Sequence, residues 1–337
     1  MSIPWVELYR PKEFSDIQHQ EQAVSAFKQC VSTGQLPNLL LFGPQGTGKT
    51  TCIQALAHQL FGPDYYKDRV HEINASSDRG VQVIRDRVKP LAQRKISAVA
   101  PRAGYNYPVP ALQIIILEEA DALTRDAQAA LRRIIEDCSQ TTRLALLCNY
   151  PSQIIGPIVS RCAKFRFVPL PPPAIQLRLQ QICAKESIIF EDALLEKLAV
   201  QSNGDMRKAV TQLQMVCQIS DLKQGQKQIQ LKDLDNLNLV QGITTQNEIN
   251  TILRNITATN DKEFLSFIEE TASFNFDVEE LVNSIFVKLI SLDQSDKIRI
   301  AAAQEYQKFG MNIARRCGEK LALQKFMLGL RVAALLK

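Results

Sequence analysis

The sequence predicts an α/β protein in which a parallel β-sheet covered by helices is followed by helical domains. Three observations lead to this prediction. Apolar runs alternate with helical patterns up to about residue 167, and a glycine-rich strand-to-helix segment lies near the start. Beyond the proline cluster "VPLPPP" at 168–173, only helical periodicity is found. Continuous apolar strands separated by helices are typical of a parallel sheet that is buried on both faces.

The predicted elements follow the chain in a regular order. Strands are predicted at 36–43, 70–74, 112–117, 143–149 and 163–167. Helices within this half are predicted at 49–60, 79–94 and 124–137. After the prolines, helices are predicted at 174–187, 191–202, 205–219, 244–257, 261–273, 277–292, 295–308 and 312–336. The polar segment 220–236 is interpreted as a linker, which gives three domains at 1–168, 169–235 and 236–337.

Composition excludes several classes of protein. The 337 residues are 45% hydrophobic and 22% charged, which is typical of a globular protein of two or three domains. The first residues, "MSIPWVELYRP", lack the apolar core of a secretory signal, and no run approaches the ~20 apolar residues of a membrane span. Eight cysteines without a C-x-x-C pair, together with three histidines, argue against a disulfide framework or a zinc site. Scattered thiols fit a reducing compartment, the cytosol or the nucleus.

The segment "GPQGTGKT", Gly43 to Thr50, matches the phosphate-binding pattern G-x-x-x-x-G-K-[ST] between a predicted strand and a predicted helix. Glycines allow backbone N–H groups to turn toward phosphate oxygens, and the helix N-terminus adds positive potential. Lys49 is expected to reach the β- and γ-phosphates, and Thr50 to offer its hydroxyl to Mg²⁺. The alternative is a glycine-rich turn in which Lys-Thr occurs by chance.

The run "IIILEEAD" ends the third predicted strand with carboxylates. In a parallel sheet, ligands lie beyond the carboxyl ends of the strands, so Glu118 and Glu119 are expected beside the phosphate loop. Glu118 is predicted to hold Mg²⁺ or its water ligands, and Glu119 to orient and deprotonate an attacking water. Solvated charges after a strand are the alternative. Asp121 is equally well explained as the start of the helix at 124.

These features together resemble the AAA+ ATPases, and more narrowly the small subunits of the clamp loader replication factor C. "WVELYRP" (5–11), "NASSDRG" (74–80), "SRC" (160–162) and "GDMRKA" (204–209) resemble the family's motifs. The matches cover most of residues 4–215 and point to the eukaryotic subunits, particularly the group numbered four in vertebrates and two in yeast. The last hundred residues match in helical character and position only.

The resemblance implies roles for individual residues. Val6 and Arg10 lie where the family contacts the base and neighbouring phosphates of ATP. Asn149 matches the first sensor, an amide that hydrogen-bonds the γ-phosphate or attacking water, and Arg207 matches the second sensor in the lid. A strand-end turn at Asn149, or an exposed arginine after a helix N-cap at Asn203 or Asp205, is the alternative. The phosphate loop comprises Gly43, Pro44, Gln45, Gly46, Thr47, Gly48, Lys49, Thr50 and Thr51.

Arg161 of "SRC" matches the family's arginine finger, which enters the ATP site of a neighbouring subunit. An arginine finger is worth ~10³–10⁵ in the rate of phosphoryl transfer. The resemblance therefore implies a hetero-pentamer with other replication factor C subunits, in which this chain supplies one ATP site and one finger. An ordinary surface charge is the alternative for Arg161.

Residues 79–102 carry seven basic residues and one acidic residue. Arg85 and Lys89 are four apart and therefore share one helix face. A basic face with few aromatic residues suits contact with the phosphate backbone. The resemblance supports Arg79, Arg85 and Lys89 as contacts with primer–template DNA, against the alternative of a solvated face. Arg125 and Arg132, on the next predicted helix, could join the same surface. The resemblance also places the loop "AVAPRAGYNYPVPAL" (98–112) near the clamp-facing side.

One departure from the family lies in the carboxylate motif. Members usually have Asp-Glu-Ala-Asp, whereas this chain has Glu118-Glu119-Ala120-Asp121. The additional methylene of Glu118 displaces its carboxylate by about one C–C bond, and Mg²⁺ demands octahedral geometry at ~2.0–2.1 Å. ATP binding is expected to be retained and hydrolysis to be competent, with a slower rate as the consequence to test.

The function implied is that of a nuclear clamp-loader subunit that takes part in DNA replication and repair. It would use ATP and Mg²⁺ to open the sliding clamp, proliferating cell nuclear antigen, and load it on primer–template DNA, without a membrane partner. The C-terminal helices would form a collar that holds the ring of subunits. Two alternatives stay open: a subunit that binds ATP without hydrolysing it, and another AAA+ ATPase that remodels DNA. The absence of a winged-helix pattern after residue 236 counts against the second.

Overall fold

The computed structural model describes residues 3–17, 19–77, 79–94, 96, 107–219, 228–241, 246–257, 260–273, 277–291 and 296–335. These residues form two compact units, one up to Gln218 and the other from Ile229 onward. The first unit contains the sheet and all of the predicted ATP-site residues. Among the described residues, no helix is long and apolar enough to cross a membrane.

The first unit is built on a five-stranded sheet with the strand order β2-β3-β4-β1-β5. Every pairing in it is parallel, which confirms the predicted α/β fold. The strands are β1 Leu39–Phe42, β2 Val70–Asn74, β3 Gln113–Glu118, β4 Thr142–Cys148 and β5 Ala163–Arg166. The register pairs the last residues of neighbouring strands, Asn74 with Glu118 and Phe42 with Cys148. The carboxyl ends of β1, β3 and β4 therefore lie at one edge, where the predicted site residues follow.

Helices cover both faces of this sheet. Helices of the first unit are α1 Trp5–Leu8, α2 Glu21–Thr33, α3 Lys49–Arg69, α4 Val81–Val83, α5 Lys89–Ala92, α6 Arg125–Asp137, α7 Gly156–Val159, α8 Pro172–Glu186, α9 Asp192–Gln201 and α10 Met206–Ile219. A π-helical turn, Ile84–Val88, joins α4 to α5, and single 3₁₀ turns occur at Phe14–Asp16, Ala120–Ala122 and Pro151–Gln153. Two short strands, β6 Ile189–Phe190 and β7 Gln228–Ile229, complete the described elements up to residue 229.

The apolar strands are buried on both faces because alternate residues enter different cores. Leu39, Leu41 and Ile114 pack in one core with residues of α2 and α3. Leu40 and Ile115 pack in the other, with residues of α4 to α6. This arrangement explains why the strands lack the polar alternation of a half-exposed sheet.

The predicted end of the helix at 49–60 is wrong. Helix α3 runs to Arg69, but it is interrupted at Gly62, where φ is 67°. Only glycine fits this left-handed conformation, since a Cβ at Gly62 would lie 2.5 Å from the ring of Tyr107. The Gly62-Pro63 pair looks like a helix terminus in the sequence, but here it marks a kink after which helical structure resumes.

The second unit is helical, as predicted. Its helices are α11 Leu231–Gln241, α12 Gln246–Thr257, α13 Asp261–Ser273, α14 Val278–Ser291, α15 Asp296–Ala314 and α16 Glu319–Leu335. They enclose a core that includes Ile252, Phe264, Leu281, Ile285 and Phe326.

Two boundaries in the second unit differ from the prediction. The interpretation of 220–236 as a linker is wrong from residue 231, where α11 begins. The Asp233 carboxylate accepts the Gln230 N–H at 2.8 Å, which stabilises the start of this polar helix. The predicted break at 309–311 is also wrong, because Gly310 lies inside α15 and the chain turns at Arg316, where φ is 57°. Residues 220–227 and the predicted helix start at 244–245 lie outside the described residues.

Candidate functional site

A cleft of about 290 Å³ lies at the carboxyl-end edge of the sheet. Its walls come from four parts of the first unit: the phosphate loop, the ends of β3 and β4, the N-terminal segment, and helices α8 and α10. The predicted residues that line it are Val6, Arg10, Gln45, Gly46, Thr47, Gly48, Lys49, Thr50, Thr51, Glu118, Glu119, Asn149 and Arg207. Residues far apart in the sequence therefore surround one concave site, as expected for a nucleotide bound beyond a parallel sheet.

The phosphate loop requires glycine for steric reasons. Gly43 has a φ of 145°, and a Cβ there would lie 2.1 Å from the carbonyl oxygen of Phe167. At Gly46, where φ is 66°, a Cβ would lie 1.7 Å from a carboxylate oxygen of Asp205. Gly48 caps α3 with a φ of 93°. These positive φ values turn the loop so that it leads into the helix N-terminus, the geometry that favours anions.

The Lys49 ammonium is held among acceptors at the centre of the loop. Its Nζ donates to the carbonyl oxygens of Gly43 at 2.7 Å and Pro44 at 2.8 Å, and to Oδ1 of Asn149 at 3.2 Å. Burial lowers the pKa of Lys49, with nearby charges acting in both directions. The contact with Asn149 joins the phosphate loop to the end of β4.

Two carboxylates follow β3. Oε1 of Glu118 accepts the Thr50 hydroxyl at 2.8 Å, so the longer side chain still reaches the end of the phosphate loop. Glu119 adopts left-handed backbone angles, with φ 52° and ψ 43°. This conformation breaks the alternation of the strand, and as a result both consecutive carboxylates line the same cleft.

The Thr50 and Glu118 oxygens form a donor pair that fits Mg²⁺. Both are hard oxygen ligands, and Mg²⁺ usually takes one or two protein ligands while keeping several waters. Among the described residues, no group of three or more His, Cys, Asp or Glu side chains could enclose a metal ion. A cation that is held partly by water and by phosphate is the kind that this pair suits.

Asp121 does not start helix α6. The N-cap is Thr124, whose hydroxyl accepts the Ala127 N–H at 3.3 Å. Asp121 Oδ2 instead accepts the backbone N–H groups of Asn149 at 2.9 Å and Tyr150 at 3.1 Å. Asp121 therefore fixes the backbone at Asn149 from the neighbouring strand end, a role that the sequence analysis missed.

The N-terminal segment forms one wall of the cleft and bonds to helices α8 and α10. The Trp5 N–H donates to Oε1 of Gln214 at 3.0 Å. The Tyr9 hydroxyl donates to Glu186, and burial together with this carboxylate raises the pKa of Tyr9 to about 12. Arg10 donates to Oε1 of Gln54 in α3 at 3.3 Å. The segment therefore joins the sheet domain to the helices that follow it.

Arg178 is a residue of this wall that the sequence analysis missed. Its guanidinium donates to the Tyr9 carbonyl at 2.8 Å and to Oε1 of Gln181 at 3.0 Å. Only 9% of the residue is exposed, and burial lowers its pKa. An arginine on the apolar face of an amphipathic helix was the signal that could have identified it, since arginine is rarely buried without partners.

Helix α10 begins against the phosphate loop. Asp205 is its N-cap, because Oδ1 accepts the Lys208 N–H at 3.0 Å, which decides between the two cap residues considered from the sequence. The Met206 N–H donates to the Gly46 carbonyl at 3.2 Å. The following residue, Arg207, is exposed and lines the cleft. The Arg207 side chain is therefore accessible from the cleft.

Of the predicted ATP-site residues that the structure describes, Gly43 and Pro44 do not line the cleft, and neither does Arg161. Arg161 follows α7, and its Nη2 lies 2.7 Å from Oε1 of Glu136 at the end of α6. Its Nη1 donates to the Pro157 carbonyl at 2.8 Å. The side chain is 38% exposed. Arg161 is therefore partly exposed and lies outside the cleft of its own chain.

The predicted basic surface is accessible but irregular. Arg79, Arg85 and Lys89 are exposed, and the last two lie at the π-helical turn and the start of α5. Four residues remain nearly one full turn in a π-helix, so these two side chains still share a face. Arg132 is paired with Glu136 through Nε at 3.0 Å, so it is not free to bind phosphate alone. Two of the seven basic residues, Lys95 and Arg102, lie outside the described residues, and so do residues 98–106 of the predicted clamp-facing loop.

Family profiles match the chain in two adjacent places. The profile described as "DNA polymerase III, delta subunit" matches residues 19–171, and "RCF1/5-like, AAA+ ATPase lid domain" matches residues 177–217. The first covers the sheet domain and the second the helices α8 to α10.

Curated relatives carry the same family name. The chain is 37% identical over 321 residues to replication factor C subunit 4 of Homo sapiens. This match covers 95% of this chain and 86% of that protein. It is 34% identical to the replication factor C small subunit of Archaeoglobus fulgidus, over 96% and 95% of the two chains. With replication factor C subunit 4 of Arabidopsis thaliana, identity is 48%, but the match spans 63% of this chain and only 62% of the plant protein.

A comparison with solved structures gives the fold independently. Thermotoga maritima RuvB, titled a Holliday junction branch migration motor, superimposes with a TM-score of 0.55 at 17% identity, over 82% of this chain and 85% of that chain. At this low identity the likeness concerns the fold alone. It agrees with the AAA+ architecture of a parallel sheet followed by a helical lid.

Proposed function

The chain belongs to the replication factor C small subunits of the AAA+ ATPases, and from this premise we propose that it binds and hydrolyses ATP as one subunit of a sliding-clamp loader. One observation carries the proposal. Lys49, Thr50, Glu118, Glu119 and Asn149 surround a single cleft at the carboxyl ends of the strands. This set supplies a phosphate cradle, a pair of metal ligands, a base and a γ-phosphate sensor.

The chemistry assigned to the cleft is hydrolysis of the γ-phosphate of ATP. The loop N–H groups and Lys49 bind the phosphates. Phosphate oxygens then replace the carbonyl and amide oxygens that accept hydrogen bonds from the Lys49 ammonium in the structure. Glu119 orients the attacking water and takes its proton, while Asn149 fixes the position of that water or of the γ-phosphate. Thr50 and Glu118 would hold Mg²⁺, which supplies charge neutralisation on the phosphates when bound.

Movement of the lid is expected to follow nucleotide state. Arg207 lies on helix α10 and faces the cleft, so a charge-assisted hydrogen bond to a phosphate can form only when nucleotide is present. Val6 and Arg10 line the same cleft from the N-terminal segment, which is bonded to α8 and α10. ATP binding in this arrangement favours one position of the lid, and loss of the γ-phosphate releases it.

We propose that Arg161 acts in the ATP site of a neighbouring subunit. Its exposure and its position away from its own cleft support this role. The assembly would be the hetero-pentamer of replication factor C, in which the helical C-terminal unit forms a collar. That unit exposes large apolar side chains for which an interface between subunits is the natural place: Leu265, Val287, Ile290, Ile300, Met311, Leu321, Leu328 and Val332.

The proposed substrates of the assembly are a ring-shaped clamp and primer–template DNA. Exposed Arg79, Arg85 and Lys89 would contact the phosphate backbone, which gives affinity without base specificity. Such work would take place in the nucleus, where eukaryotic DNA is replicated and repaired.

Two rival functions predict different results. A subunit that binds ATP only for assembly would show unchanged turnover when its base is removed. A different AAA+ remodeller would assemble with other partners. Purification of the native complex through a tag on this chain, with identification of the co-purifying subunits, should recover other clamp-loader subunits in equal amounts. Recovery of the chain without them would contradict the proposal.

A further inference from the structure

The Arg161 guanidinium is held on two sides by its own subunit. Nη2 pairs with Glu136 Oε1 at 2.7 Å, and Nη1 donates to the Pro157 carbonyl at 2.8 Å. One contact comes from the last turn of α6 and the other from α7, so two different elements restrict the same side chain. A freely rotating surface arginine would have no such fixed direction.

Glu136 is itself held in place. The same oxygen, Oε1, accepts from Arg132 Nε at 3.0 Å, one turn earlier on α6. This hydrogen bond, more than the charges of Arg132 and Arg161, lowers the pKa of Glu136. The carboxylate is therefore ionised at neutral pH, and its Oε1 is shared by Arg132 and Arg161.

We propose that Glu136 is a positioning residue for Arg161, which it aligns for the ATP site of the neighbouring subunit. The inference rests on the proposed role of Arg161 in trans, and it assigns to Glu136 an effect on a reaction that takes place in another chain. Arg132 supports the same alignment by fixing the carboxylate.

Alignment is compatible with binding a phosphate. A guanidinium has five N–H donors, and the two described contacts leave others available to the γ-phosphate of the neighbour. Arginine loses much rotamer freedom when it is immobilised, and a side chain that is already ordered loses less in the transition state. The ion pair is partly exposed on both sides, so it is too weak to retain Arg161 against a phosphate.

The test uses the assembled hetero-pentamer, with Glu119→Gln in this chain so that its own site is silent. Single-turnover hydrolysis of radiolabelled ATP then identifies the phase that Arg161→Ala slows by about 10³-fold or more, which belongs to the neighbouring site. Glu136→Gln is expected to slow that phase roughly five- to tenfold, with ATP affinity and assembly unchanged. Glu136→Asp, which keeps the charge, should recover part of the rate.

Asp137→Asn is the matched control. It makes the same change of charge at the next residue of the same helix, and among the described residues no contact joins Asp137 to Arg132 or Arg161. This variant should hydrolyse ATP within about twofold of the parent, since isolated surface charges contribute little.

Each outcome has a distinct meaning. If Glu136→Gln and Asp137→Asn behave alike while Arg161→Ala is slow, the inference is wrong and the trans role stands. If Glu136→Gln accelerates the phase, Glu136 sequesters the finger instead of aligning it, and the inference is again wrong. If the Glu136→Gln and Arg161→Ala double variant is slower than Arg161→Ala alone by the same factor, Glu136 acts by a route that does not involve Arg161, and the inference is wrong. If Arg161→Ala itself has no effect, the proposed trans role fails first.

Discussion

Asp121 offers a direct test of how the cleft is built, because its carboxylate joins the ends of two strands. Asp121→Ala removes the acceptor of two backbone N–H groups, at Asn149 and Tyr150, with distances of 2.9 and 3.1 Å. A hydrogen bond to a charged group is worth ~1.5–3 kcal/mol, and the more exposed bond to Tyr150 is discounted. The expected loss of stability is about 2–3 kcal/mol, or a decrease in Tm of roughly 4–12 °C for a unit of this size.

The consequence for turnover is expected to be larger than the loss of stability suggests. A displaced Asn149 misplaces the amide beside Lys49, and errors of about 1 Å in a site cost ~10²-fold in rate. Calorimetry and ATP turnover of the assembled complex would be measured on the same preparations, at temperatures where every variant is folded.

Thr124→Ala is the control for this prediction. It removes the N-cap of the adjacent helix, which costs ~1 kcal/mol, and leaves the bonds to Asn149 in place. It should reduce Tm and keep turnover within about twofold of the parent. The reasoning is refuted if Asp121→Ala loses stability but hydrolyses ATP as fast as Thr124→Ala does.

Three further predictions concern other walls of the cleft and the basic surface. Glu118→Asp should raise single-site turnover by about two- to tenfold, because a shorter carboxylate leaves room for metal-bound water; an unchanged rate would mean that the extra methylene has no effect. Arg178→Ala should increase hydrogen exchange around Tyr9 and weaken ATP binding about tenfold, and protection equal to the parent would contradict the contact described. Arg85→Ala and Lys89→Ala should each lower the slope of log K for DNA binding against log[salt] by about one, the loss of one phosphate contact. An unchanged slope would assign these residues to a solvated face.

The sheet and the phosphate loop could be predicted because their signals are local. A strand that is buried on both faces must be apolar throughout, and β3 with its residues 114–117 shows this directly. The loop around Gly43 and Gly46 needs positive φ values that glycine alone adopts readily, so its sequence pattern is also a backbone pattern. Fold class and the strand ends that carry the site follow from these two signals.

The contacts that organise the site could not be predicted because they join residues far apart in sequence. Asp121 and Asn149 are 28 positions apart, and Arg178 bonds to Tyr9 across 169 positions. From the sequence alone, these polar side chains are explained equally well as helix caps or as surface charges. The short helix α1 was missed for the same reason, since four residues are too few for periodicity and its position depends on a bond to Gln214.

The kink in α3 shows the opposite error, in which a local signal is correct but incomplete. Gly62 and Pro63 do interrupt the helix, as their residue types predict. Helical structure resumes where Tyr65 and Tyr66 pack against the core that contains Phe61, and where Tyr66 stacks on His58. Tertiary packing thus extends a helix beyond the point where propensity alone ends it.

The central claim is that this chain hydrolyses ATP in its own cleft. Its most direct test is the single-site turnover of a hetero-pentamer in which only this chain carries Glu119→Gln, a substitution that removes the base while it preserves shape. ATP should still bind with unchanged affinity, and the hydrolysis phase of this site should be lost, by about 10²-fold or more. Unchanged turnover with normal ATP binding would contradict the account and identify the chain as a nucleotide-binding subunit that does not hydrolyse ATP.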